Sequence, residues 1–302
     1  MTSVDPGRVA EVLRPRLPSP VERVDDPVAT AAGVELWLKR DDLVHPRLPG
    51  NKWRKLQHNL SEMDGRTVLT FGGAWSNHLR AVAAAGRLFG FPTVGVVRGE
   101  EHLPLNPSLA TAVADGMTLT YLDRTRYRDK ESPELLATLR RRFGDCLILP
   151  EGGSNTAALR GCAELAGEIT QQLAPDVVCC PVGTGGTLAG LAAGLPSATR
   201  VIGFAALKGR NFLSEAVLRL QCEAYGARRG VWEIDEDSHH GGFARRDAEL
   251  DDFIVDFDRR HGIALEWVYV AKMLCGVRRW VRHGRFAPGT RVVAVVTGPP
   301  FG

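Results

Sequence analysis

Residues 176–190, DVVCCPVGTGGTLAG, set an apolar run rich in valine and cysteine against a turn of glycines and threonines, followed by a segment of small apolar residues. A short run with no polar interruption suits a strand covered on both faces, as in a parallel sheet. Gly183, Gly185 and Gly186 allow close approach to the backbone, and Thr184 and Thr187 add hydroxyls where a helix would begin. The turn is either an anion cradle at a helix start or a tight connection between packed elements. No lysine follows its glycines, so it is not a triphosphate-binding loop, and Leu188 stands where a dinucleotide fingerprint needs its third glycine.

The same rhythm runs through most of the chain. RTVLTFGG (66–73) is followed by SNHLRAVAAAGRLFG (76–90), then PTVGVVRG (92–99), NPSLATAVADG (106–116), MTLTYL (117–122), SPELLATLRRRFG (132–144), DCLILPEGG (145–153) and NTAALRGCAELAGEITQQL (155–173). Strand-like runs alternating with helix-period segments predict an α/β protein whose parallel sheets carry helices on their faces. At 302 residues the chain is long enough for two modest domains. Pro18, Pro20, Pro27, Pro46 and Pro49 mark a loop-rich entry, and residues 226–247, GARRGVWEIDEDSHHGGFARRD, read as irregular.

Charge and cysteines narrow the classes. The formal charge is +3, from 38 basic and 35 acidic residues, with no long block of one sign, which argues against a nucleic-acid footprint or a membrane-surface patch. The run Arg140, Arg141, Arg142 reads as a solvated helix end. Six cysteines (146, 162, 179, 180, 222, 275) form no CxxC pair, and adjacent Cys179 and Cys180 would point to opposite faces of a strand. They read as reduced packing residues, with no metal site. The first twenty residues hold no apolar core of signal-sequence length and no segment has the length of a membrane span, so a soluble cytoplasmic protein is expected.

Two further turns carry chemistry. In TFGGAWSNHLRAVAAAG (70–86), Gly72 and Gly73 end a strand and Ser76 or Asn77 can cap the next helix. Ser76 is then either a cap alone or, with Asn77, part of a ligand site at the carboxyl ends of parallel strands. Trp75 either narrows that space or packs on the first helix. In GNKWRKLQHNL (50–60), Trp53, Leu56 and Leu60 recur at helical spacing, which puts Lys52 at a helix start. Only six lysines stand against thirty-two arginines, and two of the six, Lys52 and Lys55, lie here. A lysine, unlike an arginine, can lose its proton and form a Schiff base with an aldehyde. The helix dipole and burial would both lower the pKa of Lys52, whereas Lys55 reads as a surface or phosphate-neighbour residue. An amine, an anion cradle and a polar residue beside a ring are what a cofactor bearing an aldehyde and a phosphate requires, and pyridoxal 5′-phosphate is such a cofactor.

GNKWRKL (50–56), TFGGAWSNH (70–78), PEGGSN (150–155), VGTGGTLAG (182–190), YVAKM (269–273) and VTGP (296–299) occur in the order seen in the 1-aminocyclopropane-1-carboxylate deaminase and D-cysteine desulfhydrase family, which the chain resembles from about Lys39 onward. The resemblance implies the α/β, two-domain fold of fold-type-II (tryptophan synthase β-like) pyridoxal-phosphate enzymes, with parallel-rich twisted sheets flanked by helices. It implies a small domain over 62–165, a larger one built from 1–61 and 166–302, the cofactor between them, and a homodimer. Lys52 would hold the cofactor as a Schiff base, Asn77 its ring hydroxyl, Gly183, Thr184, Gly185, Gly186 and Thr187 its phosphate, and Thr297 its pyridine nitrogen. Ser76 and Tyr269 would serve catalysis, Ser76 at the substrate carboxylate or in proton transfer.

Several positions depart from the family. Val270 follows the tyrosine where the deaminases carry glutamate, Ala271 replaces a glycine, and Pro299 changes the terminal motif. A second active-site tyrosine is missing near EDSHHGGFA (236–244), where Ser238, His239 or His240 occupies the region and Phe243 lies nearby. The two histidines are either acid–base groups or solvent-facing loop residues. A hydroxyl at the ring nitrogen leaves that nitrogen neutral and weakens the ring as an electron sink, so direct β-elimination from a small amino acid, with release of ammonia and a 2-oxo acid, is expected ahead of cyclopropane ring opening. A deaminase, a racemase or dehydratase, and a cofactor-binding homologue with little turnover are the alternatives. A nicotinamide-dependent oxidoreductase is disfavoured by the failed glycine fingerprint.

Overall fold

A computed structural model of the chain describes Glu11, residues 14–61, Met63 and residues 65–300. Its strands are β1 (Val21–Val24), β2 (Glu35–Lys39), β3 (Thr67–Gly72), β4 (Thr93–Arg98), β5 (Met117–Leu122), β6 (Cys146–Leu149), β7 (Val177–Val182), β8 (Arg200–Ala205), β9 (Val231–Asp235) and β10 (Arg291–Val295). The helices are α1 (Pro27–Ala31), α2 (Asn51–Leu60), α3 (Asn77–Phe89), α4 (Pro107–Ala114), α5 (Arg124–Arg128), α6 (Pro133–Phe143), α7 (Thr156–Gln172), α8 (Gly186–Gly194), α9 (Phe212–Tyr225), α10 (Ala248–His261) and α11 (Val270–Arg282). Their starts follow capping chemistry: Ser76, Asn106, Ser132, Asn155 and Asp247 each accept an amide of the first turn, and Pro107 and Pro133 stand just inside two of these helices.

Contacts divide the chain into two compact units, one spanning Leu56–Ser154 and the other Pro15–Lys55 with Asn155–Pro300. The second break falls ahead of α7, whereas the sequence placed it at 165 inside that helix; α7 packs along α8 and goes with it. In the smaller unit four parallel strands run in the order β5-β4-β3-β6. In the larger unit the order is β1-β2-β10-β7-β8-β9, parallel except for the antiparallel edge strand β1.

Period-two alternation splits the larger sheet's side chains between two cores. Val177, Cys179, Val292 and Ala294 face a core with α1, α10 and α11, while Val178, Cys180, Val293 and Val295 face one with α7, α8 and α9. The adjacent cysteines thus point to opposite faces. Of the six cysteines all are free, and Cys222 alone is exposed rather than packed. Strand β9 was not legible in the stretch read as irregular. It is a sheet-edge strand with one buried side chain, Trp232, too little burial to mark a run. No helix among the described residues is long and apolar enough to cross a membrane.

The larger unit also buries a network of charges. Arg54, fully buried, donates to both oxygens of Asp41 (2.9 and 3.1 Å) and to both of Glu168 (2.6 and 2.9 Å). Lys39 donates to Glu168 (3.3 Å), Gln172 (2.6 Å) and the Ser19 carbonyl (2.6 Å), and Ser19 Oγ donates to Asp41 (2.7 Å). The end of β2, the turn after it, the start of α2 and the middle of α7 are thereby fixed to one another. Removing one partner from such a group leaves buried charge without compensation, which costs about 3–5 kcal/mol. Arg54→Met should lower the stability of the larger unit by that order, read as an earlier urea midpoint, whereas Arg23→Met, which removes one partner of an exposed pair, should shift it little.

Candidate active site

Three strand ends meet in the larger unit. Strands β2, β10 and β7 are adjacent and parallel, so their carboxyl ends lie side by side. From β2 the chain turns into α2 and Lys52, from β10 it passes to Thr297, and from β7 it enters the glycine turn. Carboxyl ends where strand order departs from sequence order are where open α/β sheets bind ligands. Strand β10, last in sequence, is inserted between β2 and β7.

The three ends are bonded together. The amide of Asn51 donates to the Thr297 carbonyl (3.2 Å), and Asn51 Nδ2 donates to Thr187 Oγ1 (2.9 Å). Gly50 makes this approach possible. Its φ is +65°, and a Cβ there would fall 1.8 Å from the Thr297 carbonyl oxygen.

Lys52 therefore starts a helix pinned to both neighbours. Its side chain keeps some exposure, yet protein crowds the amine. Burial foremost, and then the Lys55 ammonium, lower its pKa from 10.5 to about 7, against smaller opposing effects of Cys162 and Glu266. Lys55 is not a surface residue. It is 2% exposed, and burial lowers its pKa despite nearby Cys162 and Cys180.

In the glycine turn Gly185 adopts φ +83° at the N-cap of α8 and has no side chain with which to cap it, so the first-turn amides of that helix stay available. Thr187 Oγ1 accepts from Asn51, which leaves its own proton to donate. Tyr269 lies over the turn, since a Cβ on Gly183 would sit 3.1 Å from the tyrosine ring and 3.7 Å from its hydroxyl.

Tyr269 is held by a residue that sequence reasoning missed. Glu266, 1% exposed, accepts the amides of Val268 (2.5 Å), Tyr269 (2.9 Å) and Val270 (3.4 Å), filling the N-terminus of α11 that Tyr269 itself does not cap. Burial raises its pKa to about 7 against the pull of those three amides and of Lys272. An acid a few residues ahead of a helical pattern was the available signal. Val270 turns into the apolar core, so no side chain from that position reaches a ligand. The loop before α10 is also more ordered than expected. His240 is buried and donates from Nδ1 to Asp247 (2.9 Å), the N-cap of α10, and so does not face solvent.

Ser76 and Asn77 belong to the smaller unit, at the carboxyl end of β3. Ser76 Oγ accepts the Leu79 amide (3.3 Å) as N-cap of α3, and His78 in the same turn is bonded through Nε2 to Thr70 Oγ1 (2.8 Å). Gly153, of the PEGGSN turn, packs on that imidazole, where a Cβ would meet it at 2.7 Å.

These features fit pyridoxal 5′-phosphate. An amine crowded by protein and substantially unprotonated near neutrality can condense with an aldehyde, and uncapped helix amides bonded to the same segment can take a phosphate. The comparisons with known proteins agree. A Thermotoga maritima protein named as a putative 1-aminocyclopropane-1-carboxylate deaminase is 32% identical over 286 residues, covering 89% of this chain and 90% of the relative. An Arabidopsis thaliana protein named as a bifunctional D-cysteine desulfhydrase/1-aminocyclopropane-1-carboxylate deaminase, mitochondrial, is 28% identical over 315 residues, covering 95% of this chain and 77% of the relative. The crystal structure of an ACC deaminase homologue superposes with a TM-score of 0.80 at 25% identity, over 96% of this chain and 94% of that one. Residues 13–298 match the family described as "Pyridoxal-phosphate dependent enzyme", and the chain belongs to that family, with its fold-type-II architecture and its cofactor.

Proposed function

We propose that this enzyme eliminates the β-substituent of a small amino acid, in the manner of a D-cysteine desulfhydrase, with release of a 2-oxo acid and ammonia. The observation that carries the reading is the amine of Lys52, half-buried, poised near neutrality and fixed by Asn51 to the glycine turn.

Lys52 would hold the cofactor, Gly183 to Thr187 its phosphate, Thr297 its ring nitrogen and Asn77 its ring hydroxyl. When bound, pyridoxal phosphate supplies an electron sink for the bonds at the substrate α-carbon. With the cofactor in place, the Lys52 amine would take the α-proton, a role its depressed pKa favours because a free amine is available at neutral pH. Ser76 would meet the substrate carboxylate or assist in moving that proton. Tyr269, aimed over the glycine turn and braced by Glu266, would orient the substrate at the leaving group. With D-cysteine the bond from β-carbon to sulfur breaks, sulfide leaves, and water then releases pyruvate and ammonia.

No carboxylate is offered to the ring nitrogen in this assignment. Val270 is in the core, and the oxygens of Glu266 are taken by three backbone amides. A hydroxyl partner leaves the nitrogen neutral, which suits an elimination that needs no long-lived carbanion. Deamination of 1-aminocyclopropane-1-carboxylate, the activity in the names of several relatives, is the second reading.

Four outcomes are expected. Borohydride reduction of the cofactor-loaded protein followed by peptide mapping puts the label on Lys52, and Lys52→Ala loses both label and yellow colour; a label elsewhere overturns the assignment. Only the unprotonated amine condenses, so the rate at which pyridoxal phosphate adds to protein stripped of it should rise with pH and level off above about 7, not near 10.5. Glu266→Gln should move that midpoint down, because the Glu266 charge favours the Lys52 ammonium. In a panel of D- and L-amino acids with 1-aminocyclopropane-1-carboxylate included, 2-oxo acid and ammonia should appear from a β-thiol amino acid. Turnover of the cyclopropane alone selects the second reading, and no spectral change or product with any amino acid leaves a cofactor-binding protein without turnover.

A further inference from the structure

The turn before α10 has a backbone that its sequence does not favour. Of the five residues from His240 to Ala244, four have positive φ: His240 (46°), Gly241 (86°), Gly242 (108°) and Ala244 (51°). Glycine adopts that region freely and histidine more readily than most residues, whereas alanine does so only where the surroundings hold it there.

The segment around the start of α11 contacts this turn at several points. Lys272, 1% exposed, donates from Nζ to the carbonyls of His239 (2.9 Å) and Gly242 (2.7 Å), reaching across to both sides of the turn. Phe243 meets the ring of Tyr269 edge to face at 6.2 Å between centroids, and the Arg246 guanidinium stands 5.4 Å from the Trp267 ring. Burial lowers the Lys272 pKa to about 8, opposed by Glu266 and Asp247. The ammonium is thus retained at neutral pH in a place that disfavours it, with two carbonyls as its bonding partners. Lysine is scarce in this chain, and none of the chemistry assigned above uses this one.

We propose that Lys272 is a positioning residue: by holding the carbonyls of His239 and Gly242 it keeps the strained turn His240–Ala244 in place, which sets the Phe243 ring against Tyr269 and shapes the substrate side of the site. The consequence for substrate rests on the reading of Tyr269 as an active-site residue, whereas the clamp itself does not.

Two measurements on the full chain loaded with pyridoxal phosphate test it. In hydrogen–deuterium exchange, Lys272→Met should speed exchange over residues 238–247 by about tenfold or more and leave peptides of α7 unchanged. Unchanged exchange over 238–247 overturns the proposal, whether or not a substrate is known. In steady-state kinetics with a substrate found in the panel, Phe243→Ala, which truncates a partly buried side chain, and Lys272→Met should each raise KM about tenfold with kcat within a few-fold. Combined, they should be no worse than the more damaging of the two, because both act through one ring. Multiplying fold-changes, or a fall in kcat alone, overturn the positioning role. Should Lys272→Met not accumulate as folded protein, Lys272→Leu, which likewise removes the N–H donors, takes its place in both measurements with the same readings. A panel with no turnover would sink the proposed reaction, and the exchange measurement would still decide the clamp.

Discussion

The buried guanidinium of Arg54 is the constraint from which the site is built. Burial by itself would make Arg54 release its proton more readily, and the carboxylates of Asp41 and Glu168 more than offset this. Glu168 is in turn held below the usual carboxylate range: burial pushes it up, and Arg54 and Lys39 outweigh that. Lys39 goes the other way, its pKa lowered because burial outweighs Glu168 and Asp41. Successive residues of an α-helix are about 100° apart around its axis, so Arg54 and Lys52 point in nearly opposite directions from the first turns of α2. Locking Arg54 onto Asp41 and Glu168 therefore aims Lys52 away from them. Lys55, three residues on, shares the face of Lys52 and contributes to lowering its pKa.

Strand order supplies the second requirement. Inserting the last strand, β10, between β2 and β7 brings Thr297 beside Gly50 and Asn51 on one side and sets the glycine turn on the other. Asn51 bonds to both, through its amide and its side chain. No single one of these segments has the features of the proposed cofactor site, which arise from the contact of all three.

Around this centre the family pattern is kept and altered in separable ways. Lys52 and the glycine turn follow the family sequence, whereas Val270 lies in the core and Phe243 occupies the loop where a second tyrosine is missing. The groups that orient the altered side are ordinary in sequence: a glutamate that caps a helix from four residues ahead, and a lysine in its first turn. Their importance lies in which backbone atoms they reach.

The sequence by itself determined the α/β class, the parallel sheets, the glycine turn and the helix carrying Lys52, because each rests on local signals: uninterrupted apolar runs, helical spacing, capping residues and Gly φ freedom. It was enough, with six ordered motifs, to place the chain in its family. Strand β9, the buried placing of Lys55 and His240, the Arg54 network and the bracing by Glu266 and Lys272 were decided only by the tertiary structure. A charged side chain reads as surface until the fold surrounds it, and the partners here are far apart in sequence: Arg54 and Glu168 differ by 114 positions, Lys272 and Gly242 by 30. Whether a charge is solvated, paired or held against backbone carbonyls depends on what the chain brings back beside it, and no local pattern encodes that.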